Sequence, residues 1–240
     1  MKAAPAMPSD RPFVLVNMAM TADGKIATAN RRVSSFGSPR DQRHLYELRA
    51  TADAVMAGAR TVDTNEVTLG NGGERFRIAR LRRGLADFPV RVVVTGSGSL
   101  DPRAAIFQHR FSPILVLTTQ RAPKPPLAAL RRLTDAVKVC GKSEVNFTAA
   151  LRWLRGKWNV RRLLCEGGGA LNDALFRAGL VDELHLTLCP FIFGGRDAPT
   201  IADGTGFARL ADAFQMRLKS NRRVGEELFL VYERATPAAR

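Results

Sequence analysis

Three consecutive glycines follow an acidic residue and a short apolar run, in the order Glu166-Gly167-Gly168-Gly169. The preceding run, residues 161–165, is typical of a strand, and residues 170–178 return to helical apolar spacing. Glycines let a backbone approach a phosphate closely, and a helix N-terminus offers unpaired N–H groups and a favourable dipole. The segment therefore suits a dinucleotide pyrophosphate, although a tight strand-to-helix connection needs the same residues. Its spacing is not the GxGxxG of a Rossmann fingerprint.

Polar residues at three other places could also bind a ligand. Asn17 lies within an apolar run, residues 13–20, where a buried amide needs hydrogen-bond partners from a ligand or from neighbouring backbone. Asp23 belongs to an Asp-Gly pair, so both a turn-forming role and a substrate role are open. Arg49 lies on a predicted helix, where arginine is usually only solvated. We interpret His44, on the same helix, as a surface residue.

The cysteines do not indicate a metal centre or a catalytic thiol. Cys140, Cys165 and Cys189 are far apart, and each lies in or beside an apolar run. The sequence contains no CxxC pair and no zinc-deaminase pattern. We expect three reduced, buried thiols and no bound metal.

The formal net charge of +15 raises the question of nucleic-acid binding. The basic residues are mostly arginines spread along the chain, and only residues 75–83, RFRIARLRR, form a dense cluster. This cluster has little aromatic interleaving and no nucleic-acid motif. An anionic small molecule suits the charge equally well. Nucleic-acid binding is therefore the weaker hypothesis.

Strand-like and helical segments alternate along the chain, which predicts an α/β domain with a mainly parallel sheet. A helix begins at Ser38-Pro39, where serine is the cap and proline starts the first turn. Near the end, residues 183–189, 214–219 and 228–232 alternate apolar and polar side chains, which predicts antiparallel strands added to the parallel sheet. The other predicted strands are residues 13–20, 54–58, 91–95, 113–118, 136–140 and 161–165, and the other predicted helices are residues 127–133, 145–155 and 170–178.

The chain is interpreted as one domain, residues 11–234, with a disordered N-terminal tail (1–10) and a C-terminal tail (235–240). Residues 65–73 are polar and glycine-rich, and we expect a mobile surface loop there. No run of about 18 apolar residues occurs, so no membrane span is predicted. The first residues do not have the apolar core of a signal peptide, which favours a cytoplasmic protein.

Four segments, residues 17–28, 47–62, 166–195 and 198–207, resemble segments found in the same order in the reductases of riboflavin biosynthesis. The resemblance is to the stand-alone form of these reductases in particular. EGGGALNDALFRAGLVDELHLTLCPFIFGG, residues 166–195, is similar to the C-terminal signature of that family. NMAMTADGKIAT (17–28), ELRATADAVMAGARTV (47–62) and APTIADGTGF (198–207) resemble its first strand and turn, its next helix and strand, and a late loop. The similarity covers the chain from Arg11 to Tyr232. It implies a dihydrofolate-reductase-like fold.

The resemblance implies that the protein uses NADPH to reduce a ribosylaminopyrimidine 5′-phosphate to its ribityl form. Hydride would reach the ribose C1′ after the glycosylamine opens to an imine. It also implies a homodimer, with the late antiparallel strands as a possible interface. The implied catalytic residues are Asn17 and Glu166, and the implied substrate residues are Asp23, Arg49 and Glu166. The implied cofactor residues are Ala19, Thr61, Asn65, Gly96, Gly167, Gly168, Gly169, Ala170 and Leu171.

Two segments depart from the family pattern. After Thr61-Val62 the family has an acidic pair, a proline and later a basic residue near the substrate phosphate. This chain instead has Asn65-Glu66 and Val67, and Arg75 or Arg77 is conjectured to replace the basic residue. The strand that the family ends with Asp-Ser ends here with Thr95-Gly96-Ser97.

Three hypotheses therefore remain open from the sequence. The first is a riboflavin-pathway reductase. The second is a reductase of the same fold that acts on a pterin or another heterocycle. The third is a non-catalytic nucleic-acid-binding protein on the same scaffold.

Overall fold

A computed structural model describes residues 10–31, 36–64 and 67–235. The proposed tails lie almost wholly outside these ranges, so their disorder stays a prediction. The strands are β1 (Phe13–Thr21), β2 (Ala54–Gly58), β3 (Val90–Thr95), β4 (Ile114–Thr118), β5 (Ala136–Val139), β6 (Arg162–Cys165), β7 (Glu183–Cys189), β8 (Met216–Val224) and β9 (Glu227–Arg234). The helices are α1 (Pro39–Arg49), α2 (Ala59–Thr64), α3 (Glu74–Leu81), α4 (Ala105–Gln108), α5 (Lys124–Leu133), α6 (Phe147–Trp158) and α7 (Gly169–Arg177).

The strands form one nine-stranded sheet in the order β5-β4-β3-β2-β6-β1-β7-β9-β8. All neighbours from β5 to β7 are parallel, whereas β9 is antiparallel to β7 and β8 is antiparallel to β9. The predicted mainly parallel sheet with C-terminal antiparallel strands is thus confirmed. One detail was wrong: β7, expected as an antiparallel addition, pairs in parallel with β1. The reason is that α7 crosses over between β6 and β7, and a crossover connection returns the chain in the same direction.

Two apolar layers cover the sheet. Because side chains alternate along a strand, Val14, Val16 and Met18 of β1 pack toward α6 and α7, whereas Leu15 packs toward α1. On the α6 side, the buried residues include Leu151 of α6. No helix within the described ranges is long and apolar enough to cross a membrane.

Helix α1 begins as its sequence predicts. The Ser38 Oγ accepts hydrogen bonds from the N–H groups of Arg40 (3.2 Å) and Asp41 (3.3 Å). The Glu227 carboxylate, at the start of β9, in turn accepts from the Ser38 N–H at 2.8 Å and from its hydroxyl at 2.5 Å. The C-terminal hairpin therefore fixes the position of the α1 N-terminus.

Residues 67–73, expected to form a surface loop, are partly buried. Residues 67–73 have no helix or strand, but Leu69, Gly70 and Asn71 are buried. The arginine cluster that follows contains helix α3, and Arg80 within it is 1% exposed. Polar and glycine-rich composition predicts an exposed loop only where no neighbouring element covers it. Here Arg49 of α1 donates to the Gly70 carbonyl, and Asn71 donates to the Asp87 carbonyl beyond α3.

Candidate active site

The carboxyl ends of the parallel strands meet at one edge of the sheet and border an open groove of about 1180 Å³. Ligands of open parallel sheets bind outside this edge, and ligand pockets are typically about 300–1,000 Å³. Of the predicted cofactor residues, the groove is lined by Thr61, Gly96, Gly168, Gly169, Ala170 and Leu171. The structure thus gathers residues from three separate segments around one space.

The glycine triplet forms the start of α7. Gly168 is the N-cap and supplies no side-chain hydrogen bond to the first turn. A Cβ at Gly168 would lie 3.7 Å from the Thr61 Oγ1, and a Cβ at Gly96 would meet nothing within 4 Å. The groove therefore gives access to the α7 N-terminus, where backbone N–H groups and the helix dipole favour an anion.

The other two glycines are needed for packing. Gly167 has φ +77°, and a Cβ there would lie 2.6 Å from the Met18 sulfur. A Cβ at Gly169 would lie 2.6 Å from the Thr200 carbonyl oxygen. The Gly167–Gly168 peptide bond is cis. Gly168 is therefore the member of the triplet whose missing side chain leaves the groove open.

Two predicted cofactor residues do not border the groove, and a third lies outside the described residues. Ala19 is half-buried on β1, on the side of the sheet that faces α1. Gly167 lies behind the groove, against Met18. The position of Asn65 is not described.

Arg49 and Glu166, both implied as substrate residues by the family resemblance, form a buried ion pair. The Arg49 Nε and Nη2 donate to the two Glu166 oxygens at 2.6 Å each, and Nη1 donates to the Gly70 carbonyl at 2.8 Å. The side chains are 9% and 10% exposed. Such bidentate pairs are short and directional. The pair ties the end of α1 to the residue directly before the glycine triplet.

Asn17 lies beside this pair. It follows the β1–β6 register pair Val16↔Cys165, and so lies level with Glu166 on the α1 side of the sheet. The residue is 8% exposed, and its Oδ1 is buried without a hydrogen-bond partner among the described residues. A buried amide oxygen without a partner is costly, so this atom is suited to accept a hydrogen bond from a ligand.

The Asp23 carboxylate holds a turn together. It accepts hydrogen bonds from the Thr21 hydroxyl at 2.5 Å and from the N–H groups of Gly194 and Phe193 at 2.7 and 3.2 Å. The hydrogen bond from Thr21 lowers the pKa of Asp23, and those from Gly194 and Phe193 add to this effect. Asp23 thus ties the end of β1 to the loop after β7, and its oxygens already have partners.

The interpretation of His44 as a surface residue was wrong. Its Nε2 lies 3.0 Å from the Nδ1 of His185, and the two rings stack. The His185 Nε2 lies 2.8 Å from Glu183, and this hydrogen bond lowers the pKa of Glu183 to about 2. Because Glu183 is ionised, His185 donates to it through Nε2. Burial lowers the pKa of His44 to about 4. The spacing of His44 and Leu48, one helical turn apart, was the available signal.

Two groups of arginines, one at the groove and one around α3, were candidates for binding anions. Arg31, Arg60, Arg177 and Arg196 border the groove, and Arg177 also pairs with Asp173 at 3.0 Å. In the α3 cluster, Arg77 pairs with Glu74 and Asp87, and Arg80 is buried. In the arginine cluster of residues 75–83, one side chain is therefore neutralised by carboxylates and another is buried in the protein.

Comparisons with known proteins agree with this geometry. The RibD C-terminal domain family matches residues 12–230. A 2,5-diamino-6-ribosylamino-4(3H)-pyrimidinone 5′-phosphate reductase of Methanothermobacter thermautotrophicus is 36% identical over 222 residues, which are 92% of this chain and 98% of the relative. The Archaeoglobus fulgidus protein of the same name is 34% identical, over 90% of this chain and 95% of the relative.

Solved structures share the fold. A Corynebacterium diphtheriae pyrimidine reductase-like protein superimposes with a TM-score of 0.76 at 22% identity, covering 98% of this chain and 96% of that one. Acinetobacter baumannii RibD gives 0.75 at 21% identity, and this chain, 96% covered, spans only 60% of its length. The predicted dihydrofolate-reductase-like architecture is confirmed. By the family match over most of its length and by its identity with full-length relatives, the chain belongs to the RibD C-terminal domain family.

Proposed function

We propose that the protein is an NADPH-dependent reductase that converts a ribosylaminopyrimidine 5′-phosphate to its ribityl form in riboflavin biosynthesis. The observation that carries the proposal is the groove at the carboxyl edge of the sheet, which exposes the α7 N-terminus beside Thr61 and Gly96. The names of the relatives as pyrimidinone phosphate reductases support the substrate class.

The residues of the groove fit a nicotinamide dinucleotide. A cofactor diphosphate has two negative charges, and the uncapped first turn of α7 with Gly168 offers backbone N–H donors at the point of closest approach. Arginines and carboxylates both line the groove, so it is the α7 N-terminus rather than net charge that favours an anion. When bound, the reduced cofactor supplies the hydride. The protein holds it against the substrate and excludes water.

On the substrate side, we assign Asn17 and Glu166 to the pyrimidine ring. The Asn17 Oδ1 would accept from an N–H of the ring or its amino groups, which would satisfy its unpaired oxygen. The Glu166 carboxylate, held by Arg49, can stabilise positive charge on an opened imine. Neither residue needs to form a covalent bond with the substrate.

A second candidate is a reductase that acts on a pterin or another heterocycle. The segment after α2 favours it, because the family's basic residue is absent there. Of the two arginines conjectured to replace it, Arg75 and Arg77, the second is already paired with Glu74 and Asp87. The cofactor groove would be the same in both cases.

We further infer a homodimer through the C-terminal hairpin. Strand β8 has its outer edge free of any described strand, and most of its side chains are exposed. Leu218 and Leu228 on this hairpin are 46% and 39% exposed. Sedimentation velocity of the purified protein tests the inference, and a monomer at micromolar concentration would refute it.

The main test is oxidation of NADPH in the presence of 2,5-diamino-6-ribosylamino-4(3H)-pyrimidinone 5′-phosphate, beside NADH and a no-substrate control. Gly168→Asp is the informative variant. A Cβ at this position would lie 3.7 Å from the Thr61 Oγ1, an ordinary contact distance, so the carboxylate of the variant enters the groove. Gly156→Asp on α6, where nothing lies within 4 Å, is the control.

The proposal predicts turnover in the wild type and in Gly156→Asp, and none in the folded Gly168→Asp variant. Saturable NADPH binding without turnover would favour the second candidate. Absence of both binding and turnover would refute the cofactor site itself.

A further inference from the structure

Arg80 of α3 is a buried cation held by carbonyl oxygens. It is 1% exposed, and its Nε donates to the Ala86 carbonyl at 2.8 Å. Its Nη1 donates to the carbonyls of Arg49 at 2.6 Å and Ala52 at 2.7 Å. Within the described ranges no carboxylate pairs with it, and burial lowers its pKa to about 10. Burying a charged arginine costs free energy of folding, and the contacts of Arg80 show what this burial holds in place.

One of these acceptors, the Arg49 carbonyl, lies at the C-terminal end of α1, and the Ala52 carbonyl lies three residues beyond it. The last carbonyls of a helix lack intrahelical partners and form the negative end of its dipole, so a cation is favourable there. At the other end of α1, the Glu227 carboxylate holds the Ser38 cap. Helix α1 is thus fixed at each end by a buried charge of the complementary sign, and Arg80 fixes the end nearer the site.

Arg49 connects Arg80 to the candidate active site. Its carbonyl accepts from Arg80, while its guanidinium donates to both oxygens of Glu166. Glu166 directly precedes the glycine triplet. A shift of the Arg49 backbone would therefore move the guanidinium and the carboxylate that it orients.

We propose that Arg80 is a positioning residue that fixes the Arg49 backbone and thereby the Glu166 carboxylate of the substrate site. That Glu166 contacts the substrate rests on the proposed function. The chain of contacts from Arg80 through Arg49 to Glu166 does not depend on it. Arg80 touches neither the groove nor Glu166, and of the three residues that accept its hydrogen bonds Arg49 is the one that contacts Glu166.

Arg91 of β3 is a matched control. It is also fully buried, and it donates to the carbonyls of Ile106, His109 and Ser112 at 2.6–2.9 Å. Burial lowers its pKa to about 10 as well. Its three acceptors belong to the segment before β4 and carry none of the proposed site residues. Replacing Arg91 removes the same kind of interaction without touching Arg49.

The first experiment needs no substrate. Glu166→Gln is combined with Arg80→Met and, separately, with Arg91→Met, and urea unfolding is measured for each single and double variant. In the Arg80→Met background, we expect Glu166→Gln to change the unfolding equilibrium constant by a factor at least about fivefold smaller than in the wild type. In the Arg91→Met background, we expect the same factor as in the wild type, within about twofold. Equal effects in all three backgrounds would overturn the link. If Arg80→Met does not fold, Arg80→Lys and Arg91→Lys replace the methionine variants.

The second experiment measures kinetics with the pyrimidinone phosphate. Arg80→Met should raise KM for that substrate about tenfold or more, with the NADPH Kd within about twofold, and Arg91→Met should change neither beyond about twofold. Arg80→Lys should restore part of the loss. Similar KM changes in both methionine variants would mean a general structural role and would overturn the proposal. If the wild type shows no turnover, the proposed function fails while the unfolding cycle still decides the role of Arg80.

Discussion

Replacing Glu166 by glutamine measures how much the buried Arg49–Glu166 ion pair contributes to stability. Glutamine keeps the size and one acceptor oxygen of the side chain, but it removes the negative charge that faces Arg49. Arg49 then remains buried without an anionic partner, and its acceptors are the Gly70 carbonyl and the single oxygen of the glutamine. Its side chain is 9% exposed, so water cannot replace the lost partner.

The expected loss follows from this burial. Removing one partner of a buried ion pair costs about 3–5 kcal/mol, and the retained oxygen of glutamine favours the lower end. A loss of about 3 kcal/mol changes the unfolding equilibrium constant by roughly 150-fold. For a chain of this size it lowers Tm by roughly 6–12 °C.

The assay is urea unfolding followed by circular dichroism, with Glu74→Gln measured in parallel. Glu74 pairs with Arg77 on the surface, where the side chains are 65% and 35% exposed, and such pairs contribute about 0–1 kcal/mol. The reasoning is refuted if Glu166→Gln and Glu74→Gln lower stability by the same small amount. That result would mean that Arg49 finds another partner or reaches solvent.

Three further outcomes are expected. The folded-state pKa of His44, about 4, lies below its ordinary value of 6.5, so its contribution to stability is present above pH 6.5 and is lost as the pH falls toward 4. Urea midpoints should therefore fall across this interval more in the wild type than in His44→Gln, and parallel curves would contradict the assignment. Gly156→Ala should raise stability by about 0.5–1 kcal/mol because α6 has open space there, whereas Gly169→Ala should lower it by about 1–3 kcal/mol through contact with Thr200, both measured by thermal unfolding. Ser38→Ala should cost about 1 kcal/mol by removing the α1 cap, and a change below 0.3 kcal/mol, roughly the error of the method, would show that the cap is dispensable.

Much of the fold was predictable because its signals are local. The apolar runs of β1 and β3 predicted strands buried on both faces, and Ser38-Pro39 predicted the start of α1. The glycine triplet predicted a strand-to-helix turn. Each of these signals depends on neighbouring residues, whose conformational preferences act within one element. The direction of β7 was missed because alternating side chains do not report which neighbour a strand pairs with.

The site was predictable in part. The sequence identified residues that border the groove, such as Thr61 and Gly168, and it identified both members of the Arg49–Glu166 pair without indicating that they meet. They are 117 positions apart, and no local pattern encodes a contact over that distance. His44 was misjudged for the same reason, since its partner His185 is 141 positions away.

The sequence by itself therefore determined where the strands and the four longest helices form, although it did not predict the shorter α2, α3 and α4. It also indicated which segment can approach a phosphate. Only the tertiary structure decided which polar groups become buried and with what partners. Arg77 and Arg80 illustrate the difference, since they lie one turn apart on the same short helix. The Arg77 side chain is 35% exposed and pairs with carboxylates. Arg80 is enclosed and donates to the carbonyl at the end of α1. Burial depends on how distant elements pack, and the electrostatic free energy of a charge depends on burial, so this division could not be read from composition.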